Sequence, residues 1–454
     1  MGVGGRKYGM SKTSLSFFFL VAFALFAFTA LMCASAAGQA ANYKVIHSFS
    51  GFPNDGMTTS SSVVFDKLGN MYGATDGGGN QTGCGDFGCG TVYELSPDGQ
   101  GNWTETILYN FCQNFDGVSC LDGASPNGLT IDSSGNLYGT TYQGGTGQQL
   151  VTIGAGIAFE LSPPSQQGGV WTETVLHNFC SELSNGACLD GWVGVVGPLV
   201  LDKAGNLYGT TALGGTGHVK GEPSGGEGVV FKLARGVVGW EETVLHNFCT
   251  QGQGDDCPDG YQPGGGLSFS KAGDLYGTTA YSGNINEADG GSLFVLSPNG
   301  EGWKYKLLDV IPFNSQLYLP LSPIVFDAAG NLYSSLNAGN NNNGGLFRVD
   351  RKTRRVTLFK FDGSDGAGPG NVYIDEKENV LYGTTAGGGP INGGTIYSIN
   401  AAGQESVLHS FCQQKNCTDG QAGNGLRPDG EGNLYGTSEF GGADGLGDVF
   451  EFTP

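Results

Sequence analysis

One short phrase, an aliphatic residue followed by Tyr-Gly-Thr or a close variant, recurs seven times along this chain of 454 residues. Its tyrosines are Tyr72, Tyr138, Tyr208, Tyr276, Tyr333, Tyr382 and Tyr435. Successive copies lie 66, 70, 68, 57, 49 and 53 residues apart, and such a period indicates a tandem array that folds as a solenoid or a propeller. Each unit of an array buries its apolar face against its neighbours, so the repeats are expected to form one folded domain.

The third copy contains four strand candidates, which we call a, b, c and d. They cover Gly197–Asp202, Asn206–Thr211, Gly228–Leu233 and Trp240–Phe248. Each is rich in Val, Leu, Tyr, Phe or Thr and is bounded by Gly, Asn or Asp, which is typical of short strands joined by hairpins. The chain also has 83 glycines and only 14% charged residues, and it shows no long helical periodicity, so we predict an all-β fold.

The two ends of the repeat region favour a closed ring. The region begins with a lone d strand, Tyr43–Phe49, and ends with a c strand, Asp448–Phe452. Seven strands of each type result only if the first strand completes the last unit, which would leave no open edge. We therefore predict a seven-bladed β-propeller of four-stranded blades, closed by its N-terminal strand. An open β-solenoid is the alternative, but it would need capping units that the sequence does not show.

Two copies depart from the pattern. Leu307–Phe313 stands in place of the d strand in what we count as the fifth unit, and the sixth unit has a short d strand around Val356–Phe361. These two units are predicted to mark an asymmetric side of the ring, where a single binding site could lie.

The first 36 residues are predicted to be an export signal. Arg6, Lys7 and Lys12 precede an uncharged apolar run, Leu15–Met32, and small residues follow at Ala34–Ala36; this order is typical of a cleaved signal peptide. The competing interpretation is an uncleaved N-terminal anchor, since the run is long. No other run could span a bilayer, so we expect residues 37–454 to be a secreted or periplasmic propeller.

The charge balance argues against a nucleic-acid partner. Beyond the predicted signal the chain keeps 18 basic residues against 42 acidic ones, a net charge of −24, whereas nucleic-acid binding requires basic surfaces. Solubility explains this charge, and attraction of cations or basic ligands is the alternative. We expect a monomer.

Ten cysteines remain beyond Cys33, and they fall into five close pairs. The pairs are Cys84 with Cys89, Cys112 with Cys120, Cys180 with Cys188, Cys249 with Cys257, and Cys412 with Cys417. An even number of cysteines behind an export signal predicts disulfides, each closing one loop. Zinc is the alternative for paired cysteines, but neither the usual C-x-x-C gap nor neighbouring histidine ligands are present.

Two sets of aspartates recur with the repeat. The first set precedes Gly-Asn in the a-to-b turn and comprises Asp66, Asp132, Asp202, Asp327 and Asp429, with Ser270 in the fourth unit and Asp375 displaced by one in the sixth. An Asp side chain in a tight turn accepts hydrogen bonds from backbone N–H groups two residues on, so we predict a structural role for this set.

The second set precedes glycine in the connection from strand d to the next strand a: Asp55, Asp122, Asp190, Asp259, Asp365 and Asp419. In a propeller these connections share a face with the b-to-c loops, where the variable insertions fall, and loops on a rigid scaffold are the usual place for binding. These six residues are the candidate ligand-binding residues, and Ca²⁺ would suit their carboxylates. The alternative is that they only form turns.

No catalytic residue is predicted. His47, His177, His246 and His409 recur at one d-strand position, filled by Tyr109 in another unit, and a catalytic group would not need copying around the ring. His218, in a b-to-c loop, is off the pattern, but a lone loop histidine is most often solvated. Neither a nucleophile with a base nor a phosphate-binding loop is indicated.

The ordered motifs Gly-Asn-Leu-Tyr-Gly-Thr-Thr, Gly-Gly, Gly-x-Val-Phe-x-Leu and Leu-His-x-Phe resemble those of the bacterial GloVer tandem repeat proteins, a family with varied C-terminal anchors. The resemblance covers roughly residues 43–454. Parts of each unit are also similar to NHL-type and streptogramin-lyase-like seven-bladed propellers. The resemblance implies fold and export rather than chemistry. This chain stops two residues after Phe452 without an anchor, so release is expected rather than tethering.

The function predicted from the sequence is a non-enzymatic scaffold that binds a carbohydrate, peptide or protein on its loop face. The alternative is a hydrolase or lyase acting on a polysaccharide or lactone, by fold analogy alone, and a third option is a structural envelope component. The enzyme hypothesis predicts an asymmetric cluster of carboxylates, or a metal, at the channel mouth. The binding hypothesis predicts exposed aromatic residues there, with Trp192, Tyr261, Tyr281 and Phe440 as candidates.

Overall fold

The first described strand, Asn42–Ser48, pairs with the last, Asp448–Thr453, and this contact closes a ring of seven antiparallel sheets. The computed structural model describes residues 42–147, 154–166, 168–184, 186–195, 197–217, 226–250, 256–284, 290–300, 302–311, 317–339, 341–354 and 356–454. Residues 43–453 form one compact unit. The seven-bladed propeller and its closure by the N-terminal strand are confirmed. The predicted signal segment lies outside the described residues.

Blades 1 to 6 hold strands a to d in sequence order, and blade 7 takes its d strand from the start of the repeat region. Blade 1 has Val64–Phe65, Met71–Thr75, Thr91–Pro97 and Trp103–Asn110; blade 2 has Ala124–Ile131, Leu137–Gln143, Ile157–Ser162 and Thr172–Asn178; blade 3 has Trp192–Val195 with Val200–Leu201, then Leu207–Leu213, Val229–Arg235 and Trp240–Asn247. Blade 4 has Asp256–Phe269, Leu275–Asn284, Ser292–Asn299 and Gly302–Val310; blade 5 has Val325–Phe326, Leu332–Leu336, Gly345–Val349 and Val356–Lys360. Blade 6 has Ala367–Asp375, Val380–Gly387, Thr395–Ile399 and Glu405–Ser410; blade 7 has Gln421–Pro428, Leu434–Phe440, Asp448–Thr453 and Asn42–Ser48.

Short elements decorate the loops of this ring. Three small ladders join Gly56–Met57 to Gly77–Gly78, Leu183–Ser184 to Ala187–Cys188, and Leu317–Tyr318 to Ala338–Gly339. Two 3₁₀ turns, Gly85–Phe87 and Lys415–Cys417, lie within or beside disulfide loops. None of the described residues belongs to a helix that could cross a bilayer.

The recurrent Tyr-Gly pair is explained by packing inside each blade. Strands b and c are buried on both faces because the flanking blades cover them. Gly139 of strand b lies directly across from Phe159 of strand c, and a side chain on Gly139 would come within 2.6 Å of that ring. Gly209 and Phe231 repeat the same pairing. Glycine is therefore the residue that leaves room for the aromatic ring of the neighbouring strand.

Aromatic pairs join one blade to the next. A phenylalanine just after strand d of one blade packs edge-on against the aromatic residue of strand c in the following blade, with ring centroids 4.9 to 5.3 Å apart. The pairs are Phe49–Tyr93, Phe111–Phe159, Phe179–Phe231, Phe248–Phe294, Phe361–Tyr397 and Phe411–Phe450. Ile311 replaces the phenylalanine between blades 4 and 5 and packs in one cluster with Phe347.

The a-to-b turns have the structural role that the sequence predicts for their aspartates. Oδ1 of Asp202 accepts hydrogen bonds from the backbone N–H groups of Ala204 and Asn206, while Oδ2 accepts them from the Asn206 amide and the Tyr208 hydroxyl at 2.7 and 2.9 Å. Burial opposes ionisation here, but these hydrogen bonds outweigh it and lower the pKa of Asp202. The turn motif is thus a closed hydrogen-bond network that also anchors the repeated tyrosine.

Of the two predicted departures in the d strands, the replacement of a strand at Leu307–Phe313 is wrong, whereas the short strand around Val356–Phe361 is confirmed. Gly302–Val310 forms a regular d strand of nine residues in blade 4, paired along its length with Ser292–Asn299. The short strand Val356–Lys360 belongs to blade 5 rather than blade 6. A strand ladder needs only backbone pairing, so the missing Asp-Gly and cysteines after Val310 do not interrupt it. Residues 312–316 lie outside the described residues.

Candidate functional site

The d-to-a connections and the b-to-c loops lie on one face of the ring, which we call the loop face. The backbone N–H of Gly145, in a b-to-c loop, donates to the carbonyl of Cys120, in a d-to-a connection, at 2.8 Å. Gly215 and Cys188 repeat this contact at 2.7 Å. Each variable loop is therefore fastened to the preceding inter-blade connection.

Five disulfides hold the loop face, with the pairing that the spacing predicts: Cys84–Cys89, Cys112–Cys120, Cys180–Cys188, Cys249–Cys257 and Cys412–Cys417. Cys84 Sγ lies 4.0 Å from Cys120 Sγ, so two of the bridges are packed together beside strand d of blade 1. The loops that carry these bridges are fixed to the scaffold.

The six candidate aspartates lie in six separate inter-blade connections, and five of them are buried. Oδ2 of Asp122 accepts hydrogen bonds from the Tyr109 hydroxyl at 2.8 Å and from the Gln113 backbone N–H at 2.9 Å. Asp419 accepts in the same way from the N–H groups of Gln413 and Gln414. Asp55, Asp190 and Asp259 have equivalent backbone partners, and Asp365 accepts from Asp362 N–H. These bonds are what the turn-forming alternative requires.

The recurrent histidines serve the same connections. Nε2 of His177 lies 3.1 Å from Oδ2 of Asp190, and Nε2 of His246 lies 3.1 Å from Oδ2 of Asp259. Burial opposes ionisation of Asp190, but hydrogen bonds from His177 and Ser181 outweigh it and lower its pKa. His218 lies outside the described residues.

A repeated glutamate, which sequence reasoning missed, faces four of the six aspartates from the next blade. Glu105, Glu173, Glu242 and Glu405 each lie four residues before the d-strand His or Tyr position, and Oε1 of each is buried without a hydrogen-bond partner among the described residues. Burial, together with the charge of Asp122, raises the pKa of Glu173 to about 7. Burial with Asp190 and Glu182 raises that of Glu242 to about 8. In these two joints the glutamate therefore keeps its proton near neutral pH, beside an aspartate.

The joint between blades 7 and 1 differs from the others and is where a metal ion could be held. His47 Nε2 lies 3.4 Å from Glu105 Oε1 and 3.9 Å from Asp55 Oδ2, and all three ligand atoms lie within 4.8 Å of one another. Imidazole and carboxylate ligands of this kind suit a first-row transition metal better than Ca²⁺. Nearby, burial raises the pKa of the fully enclosed Asp448 to about 7.

A second pair of carboxylates is specific to the same joint. Asp76 and Glu439 end the b strands of blades 1 and 7, and Ser60 donates to Asp76 Oδ1 at 2.8 Å. Burial raises the pKa of Asp76 to about 6, the Ser60 hydrogen bond opposes this, and the charge of Glu439 adds to it. Burial also raises the pKa of Glu439. The corresponding residues of the other blades are Tyr142, Ala212, Ala280, Asn337 and Ala386.

Exposed aromatic residues cluster on the loop face of blades 7, 1 and 2. Five rings with exposed fractions between 37% and 50% define what we call the aromatic arc: Phe440, Phe52, Phe87, Phe115 and Tyr142. Of the four aromatic candidates named from the sequence, Phe440 belongs to the arc. Tyr261 is buried and stacks on Tyr281 at 5.1 Å, and Trp192 packs against the core of blades 2 and 3.

The solved structures that are similar to this chain share little of its sequence. No curated protein matches the chain. Similar solved structures include YCF48 from Cyanidioschyzon merolae, with 12% identity over 91% of this chain and 98% of that chain at a TM-score of 0.49. Others are a gluconolactonase from Xanthomonas campestris (13%, 81% and 90%, 0.40) and a protein of unknown function from Dyadobacter fermentans (11%, 91% and 98%, 0.46). At these values none of them bears on activity.

The comparison with protein-family models identifies a family for this chain. The model described as the Gloeobacter/Verrucomicrobia repeat matches residues 33–255, 195–375 and 320–454. These overlapping matches cover every blade described above, including both strands that close the ring. The chain therefore belongs to the Gloeobacter/Verrucomicrobia repeat family.

Proposed function

We propose that this protein is an exported binding scaffold whose aromatic arc contacts a carbohydrate ligand. The observation that carries the proposal is the exposure of five aromatic rings in the neighbouring blades 7, 1 and 2 of the loop face: Phe440, Phe52, Phe87, Phe115 and Tyr142. Exposed apolar patches on a soluble protein mark interaction sites, and flat aromatic rings supply large contact areas at low entropic cost. A peptide or protein ligand is the alternative occupant of the same surface.

The arc is built on a rigid support. Phe87 lies in the loop closed by Cys84–Cys89, and Phe115 lies in the loop closed by Cys112–Cys120. A Cβ added to Gly83, the residue before Cys84, would come within 2.9 Å of the Phe115 ring, so the two disulfide loops lie against one another. Rigid presentation of rings reduces the ordering cost of binding.

The proposal is tested with a glycan array probed by the mature protein and by a variant that combines Phe52→Ala, Phe87→Ala and Phe440→Ala. The matched control combines Val237→Ser and Val238→Ser, which replace exposed apolar residues in the c-to-d turn on the opposite face. Loss of glycan binding in the first variant alone supports the proposal. Equal glycan binding by the wild type and the arc variant overturns it. If the wild type binds peptides but no glycan, the ligand of the arc is a peptide or protein instead.

A hydrolase acting on a polysaccharide or lactone is the second candidate, and Asp76 with Glu439 is the observation that favours it. A carboxyl group with a pKa near 6 can hold a proton for a leaving oxygen at neutral pH, while its partner activates water. Turnover of glycoside or lactone substrates by the wild type that falls at least about 100-fold in Asp76→Asn and Glu439→Gln would establish it. Absence of turnover by the wild type would remove this candidate and leave the binding proposal standing.

A further inference from the structure

A cavity of about 780 Å³ opens in the central channel on the face opposite the loop face. Its wall is formed by the C-terminal ends of the a strands and by the a-to-b turns that follow them, mainly from blades 2 to 7. A cavity of this volume is large enough for a small organic ligand. None of the features used above for the loop face belongs to it.

One a-strand position recurs in every blade, two residues before each turn aspartate or its replacement, and in blades 2 to 7 its residue lines the cavity. We call the seven residues at this position the a-strand ring. The ring consists of Val64, Thr130, Val200, Ser268, Val325, Tyr373 and Arg427. Arg427 is the single charged member of this ring. Blade 7 therefore has an arginine at a position where the other six blades have uncharged residues.

Arg427 has no partner within the part of the chain that the structure describes. Its side chain is open to the cavity, and no described carboxylate, carbonyl or hydroxyl accepts a hydrogen bond from its guanidinium. The surrounding channel wall removes water from the guanidinium, and this burial lowers the pKa of Arg427. An arginine offers five donors in a planar fork, and because the Arg427 side chain is exposed to the cavity these donors are available to a ligand.

The mouth of the cavity is also more cationic than the rest of the molecule. Four basic and three acidic side chains line it: Lys271, Arg351, Arg354 and Arg427 against Asp274, Asp327 and Glu376. Asp327 is occupied by hydrogen bonds from Asn331 and Tyr333, and Glu376 lies 3.5 Å from Lys271. The chain as a whole has a net charge of −21, so this excess of positive charge is local.

We propose that the channel is a binding site for a small oxyanion ligand, whose carboxylate or phosphate group is held by the guanidinium of Arg427. The planar fork of arginine matches the two oxygens of such a group. Tyr373, Ser268 and Thr130 supply hydroxyl groups in the same wall for the ligand's other polar atoms. This site lies on the other face from the aromatic arc and does not depend on the proposed function.

The test is isothermal titration of the mature protein with glucuronate, inorganic phosphate and, as the neutral probe, glucose at about 50 mM salt. We expect saturable one-to-one binding of at least one anion and none of glucose. Preference for glucuronate identifies an acidic sugar or organic acid as the ligand, and preference for phosphate identifies a phosphorylated one. Raising the salt to about 500 mM should weaken binding, because a charge attraction is screened.

Arg427→Met keeps the length of the side chain and removes its charge. We expect it to weaken anion binding at least tenfold, with Arg427→Lys in between, because lysine keeps the charge but loses the fork. The matched control is Arg235→Met, which removes a surface arginine that pairs with Glu160 and should leave anion binding unchanged. Equal binding by wild type and Arg427→Met overturns the proposal.

The wild type alone also decides the matter, should Arg427→Met fold poorly. Thermal unfolding with each anion should show a rise in Tm at millimolar concentration, since a ligand of the folded state stabilises it. Absence of both a rise and a titration signal with either anion overturns the proposal. Glycan binding by the arc is unaffected by Arg427→Met in either case, so failure here is distinguishable from failure of the proposed function.

Discussion

Nε2 of His246 lies 3.1 Å from Oδ2 of Asp259. The same imidazole stacks on Tyr305 of the next blade, with ring centroids 4.0 Å apart, and the Tyr305 hydroxyl donates to the carbonyl of Asp259. Three side chains from one inter-blade joint thus fix a single turn. Comparable anchors recur around the ring, and in several joints a buried glutamate stands where Tyr305 stands here, which makes the stability of the fold sensitive to pH.

The first prediction concerns that pH dependence. A glutamate ionises near pH 4.3 in the unfolded chain, whereas the pKa values of Glu173, Glu405 and Glu242 in the folded protein are raised to about 7, 7 and 8. At pH values between the unfolded and the folded pKa, the folded state binds more protons than the unfolded state. The free energy of unfolding therefore falls as the pH rises from about 4.5 to 8. Chemical unfolding should show a lower free energy of unfolding at pH 8.5 than at pH 5.5.

Glu242→Gln should remove part of this loss, because a neutral amide has no charge to desolvate. We expect it to stabilise the protein by about 1 to 2 kcal/mol at pH 8.5 and to change little at pH 5.5. The control is Glu241→Gln at the neighbouring exposed position. Identical pH profiles for the two variants would contradict a buried proton at this joint.

The second prediction concerns ring closure. Phe49 is fully buried and packs against Tyr93 at 5.1 Å, which connects the closing strand to blade 1. Phe49→Ala should lower the free energy of unfolding by about 3 to 5 kcal/mol through the cavity it leaves. Phe52→Ala, three residues on and 47% exposed, should change it by less than about 0.5 kcal/mol. Denaturant titrations that show similar losses for both would argue against the joint as described.

The third prediction concerns the a-to-b turn. Asp202→Ala removes the acceptor of four hydrogen bonds and leaves the Asn206 amide and Tyr208 hydroxyl without a partner, which should cost about 1 to 3 kcal/mol. Asp202→Ser should cost less, because Ser270 in blade 4 accepts the two backbone N–H groups of its own turn. Urea unfolding distinguishes the two variants, and a serine variant no better than alanine would refute this account.

The fourth prediction concerns the disulfides. Cys180 and Cys188 close a loop with a sequence separation of eight residues, so replacing both by serine should lower the free energy of unfolding by roughly 2 to 3 kcal/mol in the chain-entropy model. Reduction of the wild type should lower stability further, because four other loops open as well. Unchanged stability after complete reduction would mean that the loop face is held by its hydrogen bonds alone.

The blade count, the closing strand and the cysteine pairing could be predicted because each follows from a local repeat. Tyr208 with Gly209 marks strand b, and the spacing of Cys180 and Cys188 marks one loop, with no knowledge of distant contacts. The role of Asp202 was predictable for the same reason, since all its partners lie within six residues.

The side chains that face across a joint could not be predicted in this way. Glu105 lies between two threonines in strand d, and three polar residues in a row lack the alternation of apolar and polar positions that would mark one of them as buried. His47, its neighbour in space, belongs to a different blade. Asp76 and Glu439 are further apart still along the chain, and only the closure of the ring brings them to one joint. The prediction for the d strand of blade 4 is wrong because the Asp-Gly and cysteines that follow several other d strands are absent after Val310, whereas the strand itself needs only backbone pairing.

The closing blade takes its outer strand from residues 42–48 and its three inner strands from residues 421–453. The Tyr43 hydroxyl donates to the carbonyl of Asp419, 376 residues away. During synthesis the strand at residues 42–48 therefore stays unpaired until the strands of the final blade have been made. The entropic cost of closing a loop grows only slowly with its length, so the first and last strands can still pair. A chain truncated within its last blade leaves an unpaired strand edge that is open to proteolysis and to pairing with other strands. Pairing of the first and last strands therefore requires that the whole chain has been synthesised.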